Sequence, residues 1–251
     1  MTSAPCAALV MAMNRISLQP ACILHRVPYR NTSALIEAFT PEYGRVGLVA
    51  RGVFGRKSRW QGLLQPFIPL LLSWQGRGEL YTLTDAEPNG RDITLPGREV
   101  LSAFYLNELL MRLTQRMDAH PGLYTLYMQT LARLRNEEPE QVLRVFERGL
   151  LQELGYGLNL TEEAEGGVAV QAGRAYRFMV ERGPVPAAAG EEGLVVDGAT
   201  LLALAAGRLP DRDTRREAKR LMREILGFYL GDKPLKTRSL HWPRRAEGRV
   251  T

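Results

Sequence analysis

Apolar and polar positions along this chain change period once, near residue 96. Before that point apolar residues come in short runs at the spacing of extended chain: ACILHRV (Ala21–Val27), SALIEAFT (Ser33–Thr40), RVGLVARGV (Arg45–Val53), LLQPFIPLLLSW (Leu63–Trp74) and GELYTLTDAE (Gly78–Glu87). Turn-forming residues separate them at Pro28–Asn31, Pro41–Gly44, Gly55–Ser58 and Gln75–Gly78. The pattern predicts five short strands within residues 20–90, an economical fit to a small closed β-barrel, with the OB-fold as the leading candidate. Pro66 and Pro69 should confine the fourth strand to an edge or a bulge, because proline has no N–H for the ladder.

After Pro96 the spacing turns helical. Val100, Leu101, Phe104, Leu109, Leu110, Leu113 and Met117 recur through EVLSAFYLNELLMRLTQRM. Pro121 and Pro139 each sit where a first helical residue belongs, opening LYTLYMQTLARL and PEQVLRVFERGLLQEL, and Gly155 is placed to end the latter. A short helix is expected at Thr200–Ala206. Thr214 and Glu217 have capping-box spacing at the head of REAKRLMREILGFYL, whose apolar stripe is Leu221, Met222, Ile225 and Tyr229, stopped by Gly231. Between the helices, Gly155–Pro186 is glycine-rich with short alternating runs and reads as irregular or hairpin structure. The fold class is therefore α+β with two domains: a flexible extension at 1–19, the barrel at 20–90, a helical domain at 96–240 with an irregular insert at 156–186, and a flexible tail at 241–251.

Composition narrows the partners. The 251 residues carry a formal net charge of +6 and a pI near 9.5, which favours an anionic partner. The charge is uneven: the middle is acidic (Glu137, Glu138, Glu140, Glu147, Glu153, Glu162, Glu163, Glu165), whereas the chain after Leu209 is basic. Only two cysteines occur, Cys6 and Cys22, so neither a disulfide framework nor a four-cysteine zinc site can be built. The longest apolar run, Phe67–Trp74, is too short to span a bilayer. A cytoplasmic, nucleoid-associated protein is expected.

No constellation for catalysis stands out. His25, His120 and His241 are scattered, and there is no nucleophile elbow, phosphate-cradling glycine loop or Walker lysine. No enzyme activity, metal or cofactor is expected. The segment GRVGLVARGVFGRKSRW (Gly44–Trp60) is different, for it holds Arg45, Arg51, Arg56, Lys57 and Arg59 without one acidic residue and ends in Trp60. Cations beside an aromatic face suit a phosphate backbone with stackable bases. The alternatives are a solvated basic loop and a Trp60 packed beneath it. Lys233, Lys236 and Arg238, on an expected extended stretch after the last helix, form a second basic group, open to the same two readings. Arg144 and Arg148, four residues apart on one helical face beside Leu143, Phe146 and Leu150, suit a partner peptide ending in a carboxylate, or else pair with Glu140 and Glu147.

The string PYRNTSALIEAFTPEYGRVGLVARGVFGRKSRWQGLLQPFIPLLLSWQGRGELYTL resembles the opening domain of the bacterial DNA repair protein RecO family. Ser33, Phe39 and Thr40, the run Gly44–Gly52, L-Q-P-F-x-P-L-L-L (Leu64–Leu72) and G-R-G-E (Gly76–Glu79) carry the likeness. Further matches follow in family order at Tyr105–Leu110, Leu143–Gly157 and Tyr229–Arg238, covering about residues 20–240. The resemblance implies an N-terminal OB-fold and a helical C-terminal domain without side-chain catalysis. It implies binding of single- and double-stranded DNA, annealing of complementary strands, and action with RecR and RecF as a recombination mediator that lets RecA replace single-stranded DNA-binding protein (SSB). By motif, Arg45, Arg51, Arg56, Lys57 and Arg59 become DNA contacts, and Lys233, Lys236 and Arg238 a second patch; Trp60, on its chemistry, is the expected stacking ring. Leu143, Arg144, Phe146 and Arg148 are the expected dock for the acidic, apolar SSB tail. Unlike some members, this chain has no cysteine in 155–186, so packing must hold that segment. Two other readings compete: an RNA-binding OB-fold protein of the translation machinery, and a peripheral membrane protein using the basic helix Thr214–Leu230.

Overall fold

The computed structural model describes residues 14–55, 58–60, 62–90, 93–95, 97, 99–188 and 193–239. The chain divides into two compact units, one of residues 1–92 with 116–119, the other of 93–115 with 120–251.

The first unit is a closed five-stranded barrel of β1 (Asn14–Tyr29), β2 (Ser33–Thr40), β3 (Gly44–Ala50), β4 (Pro69–Gly76) and β5 (Leu80–Pro88). Their order round the barrel is β1-β2-β3-β5-β4, with β3 and β5 parallel and β1 closing against β4. Alternation along β2 and β3 turns Ala34, Ile36, Ala38, Val46, Leu48 and Ala50 inward, where Ile23, Leu70, Leu72 and Trp74 complete the core.

One expectation changes here and a second is resolved. β1 begins at Asn14, so residues 14–19 are barrel strand rather than flexible extension. It is long enough to pair with two neighbours because bulges at Ile16/Gln19 and Ile23/His25 bend it from β4 to β2. For the fourth strand the bulged alternative holds rather than the edge: closure leaves no edge, and its pairing with β5 shifts register at Ser73/Trp74. Its prolines are accommodated at the margin: Pro69 is the first strand residue and Pro66 makes only an isolated bridge to Ile23.

The second unit holds α1 (Glu99–Leu113), α2 (Pro121–Arg133), α3 (Pro139–Glu153), α4 (Gly198–Ala206) and α5 (Arg212–Leu230). Pro121 and Pro139 start their helices as the spacing predicts, and Gly155 follows α3 at φ 84°. Leu106, Leu109, Leu110, Leu123, Tyr127, Leu131, Phe146, Leu150, Leu221, Met222 and Ile225 form the core. The buried face of α1 runs through Ala103, Leu106 and Leu110, so Phe104 points outward, and Met117 lies beyond the helix in the barrel's unit. The start of α5 also differs. Asp211, not Thr214, is the N-cap, accepting from the Thr214 N–H and hydroxyl at 2.8 Å each, while Glu217 accepts from the Thr200 hydroxyl.

In the cysteine-free insert the hairpin alternative holds. β6 (Ala175–Met179) pairs with β7 (Gly183–Pro186) in a hairpin and with β8 (Val195–Asp197) on its other side. Buried Tyr176 accepts from the Gln171 N–H at 3.0 Å, and Arg174 bridges to Glu163 at 3.1 Å, so side chains hold what a metal would otherwise gather. Among the described residues no helix is long and apolar enough to cross a membrane, and no group of three or more His, Cys, Asp and Glu side chains could hold a metal ion.

Candidate nucleic-acid interface

Barrels of this topology take oligonucleotides across β2 and β3 and the flanking loops. Here that outer face divides into two halves. In the lower half Glu37, nearly buried, meets the Arg45 guanidinium at 3.6 Å and accepts from the Arg116 guanidinium. The segment 116–119 lies against the strand ends, where the Met117 N–H donates to the Arg45 carbonyl at 2.9 Å and Arg116 bridges to Gly44 and Arg45. Only glycine allows this approach at Gly44, whose φ is +60° and where a Cβ would stand 1.8 Å from the Asp118 carbonyl oxygen; at Gly47 a Cβ would lie a tight 3.1 Å from the Arg116 guanidinium carbon. Burial holds the Arg45 pKa below its ordinary value despite Glu37, whereas the bond to Glu37 raises that of Arg116. Arg45 was expected to be a DNA contact, but its side chain is only 12 % exposed and its charge is answered by the protein's own carboxylate.

The upper half is cationic and open. It lies where the β1–β2 turn meets the loop after β3, tied together by the Phe54 N–H donating to the Thr32 carbonyl at 3.2 Å. Arg51 is exposed at the end of β3, and Arg59 is exposed, donating to the Thr84 carbonyl at 2.6 Å. Arg56 and Lys57 lie outside the described residues. Trp60 corrects the expectation most sharply. It is 4 % exposed, its ring belongs to the barrel core, and its Nε1–H donates to the Arg51 carbonyl at 2.9 Å. The Arg59 guanidinium lies 4.0 Å above the ring. Trp60 fastens the basic loop to the barrel and offers no open face to a base.

The structure adds Arg26, Arg30, Tyr29 and Phe54 to this pole. The Arg30 guanidinium sits 5.1 Å from the Tyr29 ring centroid and that of Arg26 is 6.0 Å from Phe54, while Arg26 also donates to the Leu64 carbonyl at 3.0 Å. Sequence reasoning passed over them because it followed the densest cationic string. The signal available was the absence of any acidic residue from 26–36 as well as from 44–60.

In the helical unit Lys233, Lys236 and Arg238 are exposed, but the stretch is not extended. Residues Lys236–Ser239 form a 3₁₀ turn whose N–H groups at Lys236 and Thr237 donate to the Glu108 carboxylate at 2.8 Å each. Arg112 holds the preceding strand of chain by donating to the Leu230 and Lys233 carbonyls at 2.9 Å each. Burial opposes the Glu108 charge, yet the Thr237 hydroxyl and the two N–H groups outweigh it and hold the carboxyl below its ordinary range.

The four residues expected to dock a peptide do not act together. Phe146 is core, and Arg148 donates to the Ala205 carbonyl. Arg144 is 3 % exposed and pairs at 2.5 Å with wholly buried Glu147, which also accepts from the Tyr105 hydroxyl at 2.6 Å. Burial pushes the Glu147 carboxyl up against the pull of Arg144. Arg144 and Leu143 nevertheless line a cavity of about 210 Å³, together with Leu101, Tyr105, Lys219, Arg223 and Arg238. Glu140 is the one acidic residue in that lining, engaged by Lys219 at 2.5 Å, while Arg144 is already paired with Glu147.

Comparison with known proteins agrees with this architecture. The family models described as "Recombination protein O N terminal" and "Recombination protein O C terminal" match residues 13–90 and 97–239. The chain is 52 % identical to the DNA repair protein RecO of Nitrosococcus oceani over 239 residues, 94 % of this chain and 97 % of that one. It is 50 % identical to that of Alkalilimnicola ehrlichii over 92 % of this chain and 93 % of that one. For Methylococcus capsulatus the identity is 46 %, over 90 % and 93 %.

Proposed function

The chain belongs to the RecO family of DNA repair proteins, and we propose from that premise that it is a non-catalytic DNA-binding recombination mediator that anneals complementary strands. Single- and double-stranded DNA are its ligands, RecR its working partner, and RecA, RecF and SSB the proteins with which its action is coordinated. The observation that carries this reading is the basic pole of the barrel. Arg30, Arg51 and Arg59 are exposed around a rigid turn, with no acidic residue in the chain segments that build it. Two polyanionic strands repel each other until cations neutralise their phosphates, and a protein presenting such cations lowers that barrier without a chemical step. Lys233, Lys236 and Arg238 supply a second basic patch, held in shape by Glu108 and Arg112.

For the acidic, apolar SSB tail the cavity beside Arg144 is the receiving site. Leu101 and Leu143 offer apolar wall, and Lys219, Arg223 and Arg238 offer charge for carboxylates. Phe146 and Arg148 take no part in that lining: Phe146 is core, and Arg148 donates to the Ala205 carbonyl.

The test is annealing of complementary oligonucleotides coated with SSB, comparing the native chain with Arg30→Glu/Arg51→Glu/Arg59→Glu. The variant is expected to lose annealing at moderate salt while keeping its fold. Undiminished annealing would overturn the reading.

A further inference from the structure

The barrel needs an apolar face for bases, and the residue expected to provide it, Trp60, is buried. The largest exposed apolar side chain near the basic pole is instead Phe54, 48 % exposed on the loop after β3. Four features set it apart from an incidental surface phenylalanine. Its backbone is fixed, with its own N–H bonded to the Thr32 carbonyl and the Gly55 N–H to that of Gly52, at 3.2 and 3.4 Å. A guanidinium, that of Arg26, stands 6.0 Å from the ring centroid and is itself held by the Leu64 carbonyl. Arg51 and Arg59 are exposed on the same loop, and no carboxylate occurs in that loop or in the adjoining turn. A second ring–guanidinium pair, Tyr29 with Arg30, ends the strand on which Arg26 lies.

We propose that Phe54 is a stacking site for an unpaired nucleobase, with Tyr29 as a second ring. The proposal rests on the nucleic-acid reading of this pole. Bases in single strands present their faces, and stacking on an aromatic side chain tolerates any of the four. Guanidinium groups beside the ring then meet the flanking phosphates. Charge decides against an apolar peptide as occupant, because Arg26 flanks the ring and the segments that carry it, residues 26–36 and 44–60, hold arginines and no acidic residue, which favours an anionic chain. Duplex DNA would gain nothing from the ring, since its bases are already stacked on one another.

The experiment is a titration of a fluorescently labelled single-stranded oligomer and of the matched duplex across a salt series, using the full chain, Phe54→Ala, Phe54→Leu, Phe54→Trp and Arg51→Glu/Arg59→Glu. Phe54→Ala and Phe54→Leu should weaken binding of the single strand by about 5- to 150-fold, with the salt slope and the duplex affinity unchanged. Phe54→Trp, which keeps a ring, should restore the affinity. Single-strand affinity unchanged in Phe54→Ala, or an equal loss for single strand and duplex, would overturn the stacking site. If Arg51→Glu/Arg59→Glu loses both ligands in the same titration, the basic pole stands whatever becomes of Phe54. Retention of both by that variant would remove the reading on which the proposal rests.

Discussion

Trp60 and Phe54 stand six residues apart on one loop and do opposite things. Trp60 fills the barrel and caps the Arg51 carbonyl, so its loss removes both packing and a hydrogen bond. Trp60→Ala should destabilise the protein by about 3–5 kcal/mol in urea unfolding. Phe54→Ala should stay within about 0.5 kcal/mol of native stability, as an exposed position does. Arg144 obeys a third logic. Because it compensates a buried carboxylate, Arg144→Met should cost about 3–5 kcal/mol, the usual consequence of stranding one partner of a buried pair. The pH dependence follows from Glu147, whose carboxyl is already raised by burial. A native state that holds its proton more tightly than the unfolded chain loses stability as pH rises through that range. The Arg144→Met deficit should therefore shrink on acidification, measured as the unfolding midpoint from pH 7 towards 5. A charge-reversing Arg144→Glu would set two carboxylates together, and its effect on peptide binding would not separate docking from folding.

At the scale of elements, the 3₁₀ turn Lys236–Ser239 depends on Glu108. A carboxyl held below its ordinary range stabilises above the unfolded value, and that contribution disappears as pH falls through the folded one. Hydrogen exchange at Lys236 and Thr237 should accelerate below the ordinary carboxylate range, and in Glu108→Gln already at neutral pH. Gly44→Ala meets both a positive φ and the Asp118 carbonyl, so a loss of more than about 1 kcal/mol is expected in thermal or urea unfolding.

These elements also mark what sequence pattern can carry. Alternation placed β2 at its observed bounds, and the prolines at 121 and 139 started α2 and α3, because in both cases the signal is local. Residues 14–19 escaped since they alternate poorly around a bulge and are recruited by β4 more than fifty residues away. Cationic residues could be read as a group, but not which of them were already engaged by a carboxylate. Arg45 and Arg116 find Glu37 only once the chain has folded, whereas the Arg144–Glu147 pair, three residues apart on one helix, was legible as the alternative to peptide docking. Trp60 in a basic loop looks the same in sequence whether its ring faces out or in.

For the whole molecule, the proposed function rests on surface charge, and salt is the natural probe. Replacing Arg30, Arg51 and Arg59 together should lower the slope of log affinity against log salt for single strands by about 2, near 0.7 for each phosphate left without its arginine. Removing cations remote from the bound strand would lower affinity with little change of slope. Isothermal titration over a range of salt concentrations reads this directly.

The barrel is sewn from two lengths of chain, residues 1–92 and the four residues 116–119, which return to it after a helix has intervened. It is thus a discontinuous domain, and a protease fragment ending near residue 92 would not be an independent copy of it. Glu37 would be left without Arg116, and Gly44 and Gly47 without the segment they were shaped to admit. Such a fragment would leave Glu37 to Arg45 alone, with one cation fewer beside it, and report weaker binding than the intact protein has.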